Sequence, residues 1–594
     1  MSSAAPAELA PPPRPPPSPP RRGRWGVAWL VVLVALGVTA ARLRMALDFS
    51  ALLDCGGCLV APTLLNDLQF GLGLLALHAL SCRLRQRWLG RMLRGAVVLA
   101  LLIAVVDIVV LQQFFTRLHW HEVLKFAREG QAAAAFVSVL ASHRGVALPG
   151  GLVVTGVLLG AVRYVAHQPA AGWAARSHAG WIVPLVLAVV VSPVQAQHFY
   201  QPYLRHAVAA FVAPQSRFEP YPDGFRPPPA PGTPGASTCA AAAPRRGNVI
   251  LLIVESLSAY QSARWGGIHD WVPEFDRLAA RSLVVPEFYA NAIATEGGLL
   301  ALLTGLPPVP KPSRDPLFEQ YVDAADSLPR LYGSLGHRTA FLTTGDLGFL
   351  GKGVWLKTLG FDEVEGHDHP SYADQPRFHF GAAPDHALYR RALDWMQQEP
   401  GRPFLLTLET VSTHQPYVDP ETGAASIEAA FRYADREIGV FVRQLESRRF
   451  FDDGVLIIVG DHRAMVPATR EELERFGDRT YARVPLLVHG AGIRPGAVTG
   501  AFSQTDLLPS LRQWTGASAA CATPYHGLLL ASPPQPPRCL MTRRPYDFDR
   551  IVVQCRDEDL PVVLDGAATR YAEGTRGDPA HLQALHRLRL LDAW

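Results

Sequence analysis

The sequence predicts a bundle of five membrane-spanning helices followed by an α/β domain with a central, mostly parallel sheet. Five long apolar runs occur within residues 25–199, and short strands of Val, Ile and Leu alternate with helical patterns from residue 248 onward. A Pro- and Ala-rich stretch over residues 200–247 separates the two regions and is typical of a linker. A chain of 594 residues is also too long for a single hydrophobic core.

The composition favours a membrane protein, because 49% of the residues are hydrophobic and only 18% are charged. The net charge of +4 is small and no nucleic-acid motif accompanies it, so we expect no nucleic-acid partner. The seven cysteines lack the paired spacing of a structural zinc site. If the C-terminal domain is exported, Cys521, Cys539 and Cys555 can include a disulfide, whose pairing stays open.

The membrane part begins after residues 1–24, a Pro-, Ala- and Arg-rich segment that we expect to be a disordered cytoplasmic tail. Each apolar run is near the roughly 20 residues that a helix needs to cross a bilayer. The predicted spans are 25–41, 61–80, 95–115, 145–165 and 181–195. Asp67 and Asp107 fall inside spans, where we expect pairing with arginine or a position near a span end.

Arginines set the predicted orientation of these helices. The tail and the loop over residues 83–94, "RLRQRWLGRMLR", are both basic, so both are expected inside. Five spans then place everything after residue 195 outside, in the periplasm of a bacterial inner-membrane protein if the Ala-, Arg- and Pro-rich usage reflects a high-GC Gram-negative source. The basic segment 117–128 would also lie outside, as an amphipathic helix on the membrane surface or as a plain connecting helix.

The α/β domain, residues 248–594, is predicted from strands without polar alternation, which is typical of parallel strands buried on both faces. These strands are 249–254, 339–344, 403–410, 455–461 and 484–490. Ligands of such sheets gather at the carboxyl ends of the strands. The residues after Trp514 are expected to add a small β region at the edge of the sheet.

Metal-type ligands follow two of these strands. Glu255 ends the first strand, and Asp461 with His462 ends the fourth. Carboxylates with one imidazole suit Mn²⁺, Zn²⁺ or Mg²⁺. An Asp-His pair after a strand is usually only a turn, but agreement between two strand ends favours a metal site.

A candidate nucleophile lies between the first two strands, in "NAIATEGGLLALLTGLPP" over residues 291–308. Thr295 stands where a turn meets an apolar helical pattern, so its hydroxyl can attack phosphorus beside the helix N-terminus. The alternative is that Thr295 is an ordinary N-cap residue.

Taken in order, Glu255, Thr295, "STHQPY" over 412–417 and "GDH" over 460–462 resemble the sulfatase-like branch of the alkaline phosphatase superfamily. The motifs are most similar to lipoteichoic acid synthases and to the membrane phosphoglycerol and phosphoethanolamine transferases of Gram-negative bacteria. The resemblance extends from residue 248 to about residue 512 and includes the five-span anchor. It implies an alkaline-phosphatase-like fold.

The resemblance also implies roles for individual residues. Glu255, Thr295, Asp461 and His462 would hold one divalent cation, with Mn²⁺ favoured, and Thr295 would form a phosphothreonine intermediate. His414 would bind the substrate phosphate or protonate the leaving lipid alkoxide, unless it is only a packed loop histidine.

The segment "TTGDLGFLGKGVW" over residues 343–355 departs from the family, which has a histidine near this strand end followed by tryptophan and arginine. Lys352 and Trp355 are the candidate substrate contacts here. A lysine offers a point charge where arginine offers a fork, so the head-group pocket is expected to differ.

The implied activity is transfer of a phospho-head-group from a phospholipid donor to an envelope glycan or lipid acceptor. Phosphoglycerol is favoured because "VESLS" over 254–258 differs from the Gly-Glu-Ser of the phosphoethanolamine branch. No C/S-x-P-x-R motif for formylglycine surrounds Thr295, which disfavours a true sulfatase, and Thr410 stands where a second metal set would need a ligand. Phosphoethanolamine transfer, hydrolysis by the same fold and a non-catalytic membrane scaffold stay open as alternatives.

Overall fold

The computed structural model describes most of the chain from residue 26 onward. The described residues are 26–114, 117–120, 123, 159–166, 179–190, 205–212 and 239–591, the last range with gaps at 241–244, 246, 310–315, 323, 325, 379–380, 518–519, 522–524, 544–549, 556–557 and 566–567. The predicted tail 1–24 lies outside the described residues. So do most of the predicted linker 200–247, most of the predicted span 145–165 and most of the segment 117–128.

The described α-helices, numbered α1 to α15 in chain order, are Gly26–Leu52, Val60–Arg83, Arg87–Phe114, Ala179–Val190, Ala207–Phe211, Pro273–Ala279, Thr295–Thr304, Leu317–Gln320, Leu328–Ser334, Lys352–Thr358, Asp385–Met396, Ile427–Ser447, Arg470–Phe476, Leu507–Thr515 and Pro579–Leu591. The described strands, numbered β1 to β16, are Cys239–Ala240, Val249–Val254, Leu283–Val285, Phe288–Tyr289, Arg338–Thr343, Glu363–Glu365, Phe404–Glu409, Val455–Gly460, Leu486–Gly490, Gly496–Ala497, Phe502–Ser503, Ala520–Cys521, Cys539–Arg543, Arg550–Cys555, Asp559–Asp565 and Ala568–Tyr571.

The chain divides into two compact units. The first comprises residues 1–46, 60–105 and 144–196, and the second comprises 47–59, 106–143 and 197–594. Within the described residues, Val60–Arg83 and Arg87–Gln112 are long and apolar enough to cross a membrane, and Gly180–Val190 is a shorter apolar helix. Five spans therefore remain a prediction.

The two carboxylates inside the predicted spans each pair with an arginine, as expected. Asp67 accepts from Arg42 at 2.7 Å, and Asp107 pairs with Arg117 at 2.8 Å. All four side chains are buried, and each buried charge has an opposite charge beside it, which offsets the cost of burial. The loop between α1 and α2 holds a disulfide from Cys55 to Cys58.

The second unit is built on an eight-stranded sheet with the order β10-β3-β9-β8-β2-β7-β5-β6. Five neighbouring strands, from β8 to β6, run parallel. The predicted strands agree with β2, β5, β7, β8 and β9 to within two residues. The mostly parallel sheet is confirmed, while β9 pairs antiparallel with both of its neighbours, β8 and β3.

Both faces of this sheet are buried, which explains why its strands lack polar alternation. Side chains alternate between the two faces of a strand. In β2, Val249, Leu251 and Ile253 pack into one hydrophobic core, and the side chains between them pack into a second. In β2 the first charged residue, Glu255, comes directly after the end of the strand.

The C-terminal β region forms a sheet of its own. β13 to β16 pair in order as four antiparallel strands, and α15 packs against them. The expectation that this region completes the edge of the main sheet is therefore wrong. A disulfide joins Cys539 to Cys555 across β13 and β14, which identifies one pair among the C-terminal cysteines.

Candidate active site

The candidate metal ligands follow two neighbouring parallel strands. β2 and β8 pair in register up to Val254 and Gly460, so Glu255 leaves one strand beside the point where Asp461 leaves the other. Parallel strands present their carboxyl ends at one edge of a sheet, and this brings Glu255, Asp461 and His462 together.

The three side chains form a compact, buried group. His462 Nε2 lies 3.4 Å from Glu255 Oε1 and 3.4 Å from Asp461 Oδ2. One ligand atom from each residue lies within 4.8 Å of the others. Two carboxylate oxygens and one imidazole nitrogen at this spacing can surround a single divalent cation.

A neighbouring carbonyl fixes the tautomer of His462. Its Nδ1 lies 2.9 Å from the carbonyl oxygen of Arg463, and a carbonyl can only accept a hydrogen bond. Nδ1 therefore carries hydrogen, and Nε2 faces the two carboxylates. This is the arrangement that orients a histidine whose other nitrogen binds a metal.

The electrostatics of the group also fit a cation. Asp461 Oδ2 is buried and accepts no hydrogen bond among the described residues. Burial and the nearby Glu255 raise the pKa of Asp461 to about 7, and the two carboxylates raise the pKa of His462 to about 9 against the effect of burial. Burial would also raise the pKa of Glu255, but the His462 charge lowers it below its usual range. A positive charge is thus favoured at this point.

Thr295 is the first residue of α7 and not its cap. The N-cap is Ala294, whose extended backbone has φ −148° and ψ 157°, so the N-cap alternative is wrong. The Thr295 hydroxyl donates to Glu255 Oε2 at 3.1 Å and lies 3.4 Å from His462 Nε2. The predicted nucleophile therefore lies among the predicted ligands, at the positive end of a helix dipole.

A glycine allows α7 to approach the ligands. A Cβ at Gly298 would collide with the carbonyl oxygen of Asp461. The helix that carries Thr295 thus rests directly on the backbone of the other ligand strand.

Sequence reasoning missed three hydroxyl residues that hold Glu255. Ser256 has φ 59°, donates its N–H to Asp461 Oδ1 at 2.7 Å and its hydroxyl to Glu255 Oε1 at 2.7 Å. Thr410 Oγ1 accepts the Glu255 N–H at 3.0 Å, and Thr413 donates to the Glu255 carbonyl at 2.5 Å. Ser256 follows Glu255 in the sequence, and Thr410 and Thr413 precede His414 by a few residues. This proximity was the only sequence signal for their role.

His414 lies on the loop after β7, between Thr413 and Gln415. Its Nδ1 lies 2.6 Å from the carbonyl oxygen of Gln415, which can only accept a hydrogen bond, so Nδ1 carries hydrogen. The side chain is half-buried, and its charge contributes to the lowered pKa of Glu255. The structure thus places His414 beside the carboxylate group rather than within it.

The two remaining candidates, Trp355 and Lys352, are both buried and bonded to other residues. Trp355 is buried in the core, where it stacks on Phe318 at 4.5 Å and donates to the Tyr321 carbonyl. A substrate cannot reach it, so the expected contact through Trp355 is wrong. Lys352 is buried and paired with Glu409 at 2.7 Å, so its charge is already compensated.

Arg463 is a second buried group that sequence reasoning did not single out. It pairs with both oxygens of Glu472, at 3.0 and 3.1 Å, and its guanidinium lies over the ring of Tyr260. Its position directly after His462 in "GDHR" was the only sequence signal.

A comparison with family models matches residues 247–517 to the family described as Sulfatase. Curated relatives include phosphoglycerol transferase I of Xanthomonas euvesicatoria pv. vesicatoria (strain 85-10), 28% identical over 37% of this chain and 34% of that protein. Lipoteichoic acid synthase 1 of Bacillus subtilis (strain 168) is 23% identical over 32% of this chain and 33% of that protein. The chain thus spans about a third of the length of these relatives.

Solved structures also align with this chain. A protein in the alkaline phosphatase superfamily from Vibrio parahaemolyticus aligns with a TM-score of 0.46 and 21% identity, over 59% of this chain and 88% of that chain. That degree of likeness adds nothing to a functional assignment. The matched stretch contains all eight strands of the main sheet and the candidate ligands. Residues 247–517 are therefore a domain of the sulfatase family, with a central, mostly parallel sheet.

Proposed function

We propose that this chain is a metal-dependent transferase that moves a phospho-head-group, with phosphoglycerol favoured, from a phospholipid to an envelope glycan or lipid acceptor. The observation that carries the proposal is the Thr295 hydroxyl, 3.1 Å from Glu255 and 3.4 Å from His462 at the start of α7. The names of the relatives, phosphoglycerol transferase and lipoteichoic acid synthase, support the same reaction class.

In the first step, Thr295 Oγ1 attacks the phosphorus of the donor lipid. A bond forms between Oγ1 and phosphorus, and the bond from phosphorus to the diacylglycerol oxygen breaks. The Thr295 proton leaves along its hydrogen bond to Glu255 Oε2. His414 Nε2 protonates the leaving alkoxide, and the helix N-terminus stabilises the charge on the phosphoryl oxygens.

In the second step, an acceptor hydroxyl attacks the phosphothreonine. Its oxygen bonds to phosphorus while the bond to Thr295 Oγ1 breaks, and Thr295 takes back the proton that Glu255 received in the first step. The acceptor's own proton passes to His414 Nε2, which is then ready to act as acid again. A covalent intermediate of this kind lets donor and acceptor use the same site in turn.

One divalent cation, with Mn²⁺ favoured and Zn²⁺ or Mg²⁺ as alternatives, would be held by Glu255, Thr295, Asp461 and His462. The buried, unsatisfied Asp461 Oδ2 and the inward-facing His462 Nε2 support that ligand set. When bound, such a cation neutralises phosphoryl oxygens and lowers the pKa of a coordinated hydroxyl.

A membrane anchor suits a lipid donor, because the donor then stays within reach of the site. We propose that the catalytic domain lies outside the inner membrane of a bacterium, in the periplasm, and that the helices before residue 199 hold it there. Lys352, paired with Glu409, contributes to the head-group pocket by fixing the carboxylate beside Thr410 rather than as a free phosphate contact.

The test is reconstitution of the full chain in liposomes with Mn²⁺, offering phosphatidylglycerol and phosphatidylethanolamine in separate preparations. Diacylglycerol release from phosphatidylglycerol alone, with an adduct of about 154 Da on the Thr295 peptide, is the expected result for a covalent phosphoglycerol transferase. Release from phosphatidylethanolamine alone would instead favour phosphoethanolamine transfer. Release from neither lipid would overturn the proposal.

A further inference from the structure

A buried arginine in the first unit lacks the counter-charge that its counterparts have. Arg42 and Arg117 are buried and each pairs with an aspartate. Arg94, on α3, is only 2% exposed, and no carboxylate among the described residues pairs with it. An uncompensated charge among apolar helices is costly, so an anion that approaches Arg94 would be stabilised.

The hydrogen bonds of Arg94 leave one nitrogen for such an anion. Nε and Nη2 donate to the carbonyl oxygen of Val165 at 3.4 and 3.2 Å. Nη1 is buried and has no hydrogen-bond partner in the described part of the chain. The carbonyl of Val165 belongs to the last turn of the helical stretch 159–166, and it supplies only part of the compensation that a guanidinium needs.

Nη1 lies toward the N-terminal end of α3, next to the arginine-rich turn that joins α2 to α3. A Cβ at Gly90, one turn before Arg94, would lie 3.3 Å from Nη1 and 2.9 Å from the carbonyl oxygen of Ser81. Long side chains on helices lean toward the N-terminus, and arginine can extend its head group to the membrane surface. The turn around Gly90 is therefore where the Arg94 guanidinium meets the loop.

The turn between α2 and α3 and the first turns of α3 form a basic surface. Arg85, Arg87 and Arg91 are exposed, and no acidic residue occurs between residues 83 and 94. Trp88 and Met92 lie between them and are 60% and 62% exposed. Tryptophan is enriched at the level of lipid head groups, and clustered arginines beside a membrane helix attract anionic lipids.

We propose that the turn between α2 and α3 binds the phosphate of an anionic phospholipid, with Arg94 as the charged group at its base. The exposed arginines attract the head group, and the negative charge of the lipid phosphate compensates the positive charge of the Arg94 guanidinium. Trp88 and Met92 contact the glycerol and acyl region. This binding site lies on the membrane unit, differs from the candidate active site and does not depend on the proposed reaction.

The experiment titrates the full chain in neutral detergent with phosphatidic acid, which has no head group to transfer, and with phosphatidylcholine. Bound lipid and the thermal unfolding midpoint are both measured. We expect saturable binding and stabilisation with phosphatidic acid only. Arg94→Gln should weaken the binding about tenfold, the usual scale for a lost charge-assisted hydrogen bond. Because Arg94→Gln can disturb folding, Arg94→Lys, which keeps the charge, should restore most of the affinity.

The matched control is Arg42→Gln, which removes a buried arginine of the same unit that has its own carboxylate. It should lower the unfolding midpoint without changing the affinity for phosphatidic acid. Equal binding of both lipids, unchanged affinity in Arg94→Gln, or equal loss in Arg42→Gln would overturn the proposal. Inorganic phosphate provides the last arm, and stabilisation by it equal to that by phosphatidic acid would overturn the assignment to a lipid.

Discussion

Glu472 holds the guanidinium of Arg463 through two hydrogen bonds, at 3.0 and 3.1 Å, and both side chains are buried. Arg463 directly follows the candidate ligand His462, and the Arg463 carbonyl accepts the His462 Nδ1–H. Glu472 on α13 thus holds Arg463, whose carbonyl orients His462 Nε2 toward the other candidate ligands.

We expect Glu472→Gln to destabilise the protein by about 3 kcal/mol, because it leaves the Arg463 charge buried without its partner. Metal affinity should fall about tenfold or more, since His462 loses its fixed orientation. Thermal unfolding and metal titration of the full chain measure the two effects. Glu474→Gln on the same helix breaks an exposed pair with Arg470 and should change stability little, because solvent screens that pair. Equal effects of the two variants would contradict the assigned role of the buried pair.

Thr295→Ala should reduce diacylglycerol release by at least about a thousandfold, because the nucleophile is lost while the ligand carboxylates remain. Thr295→Ser keeps a hydroxyl and should retain part of the activity, with the adduct now on serine. Thr304→Ala is the matched control, since Thr304 lies on the same helix and its hydroxyl contacts only backbone groups, donating to the Leu300 carbonyl and accepting the Leu306 N–H. Activity of Thr295→Ala near that of Thr304→Ala would remove Thr295 from the mechanism.

A chelator should abolish activity, and one equivalent of Mn²⁺ per chain should restore it. Asp461→Asn should bind the cation at least about tenfold more weakly, because one carboxylate charge is lost from the group. Metal content by elemental analysis and activity after stepwise addition of Mn²⁺ provide the readout. Restoration only after two equivalents would show that a second ion takes part.

Burial raises the pKa of Asp385 to about 6, whereas aspartate in an unfolded chain titrates near pH 4. The folded protein therefore keeps this proton to higher pH, and the resulting stabilisation is present below about pH 4 and is lost as the pH rises through about 6. Asp385→Asn keeps an oxygen for the N–H groups of Val411 and Ser412. Relative to wild type, the variant should gain about 3 kcal/mol between pH 4 and pH 7.

The measurement is the free energy of unfolding of both proteins across that pH range. Asp394→Asn on the same helix changes an exposed carboxylate and should show no such gain. A difference between wild type and Asp385→Asn that does not vary with pH would contradict the raised pKa.

Replacing Cys539 and Cys555 by serine should destabilise the C-terminal sheet by about 3 kcal/mol, the usual effect of a disulfide that closes a loop of this size. Proteolysis of residues 539–591 should become faster, and the linked peptides should vanish from a map made without reductant. Cys82→Ser, which removes the free thiol of α2, should leave both readouts unchanged. Linkage of Cys539 or Cys555 to any other cysteine would show that the pairing is different.

The strands of the second unit were predictable because both faces of the sheet are buried, which leaves runs such as Val249–Val254 without polar residues. Carboxylates that end such runs are conspicuous, and Glu255, Asp461 and His462 followed from that pattern. Thr295 was singled out by its position where a turn meets a helix and by the family resemblance. The antiparallel direction of β9 was not predictable, since an apolar strand has the same sequence pattern in either direction.

Side-chain partners that are distant in sequence were beyond prediction. Nothing in "KGVW" indicates that Lys352 pairs with Glu409 or that Trp355 turns into the core. The contacts of Thr410 with Glu255 depend on the register of β2 against β7, which the strand patterns alone do not specify.

Where α7 crosses the carboxyl end of β8, Gly298 lies against the Asp461 carbonyl with no space for even a methyl group. The helix that begins at Thr295 and the backbone of Asp461 are therefore held apart by main-chain contact alone. Contacts between backbone atoms do not change as side chains change rotamer, so the distance from α7 to the carboxyl end of β8 is fixed when the chain folds. The close approach of α7 to Asp461 therefore depends on the absence of a side chain at Gly298.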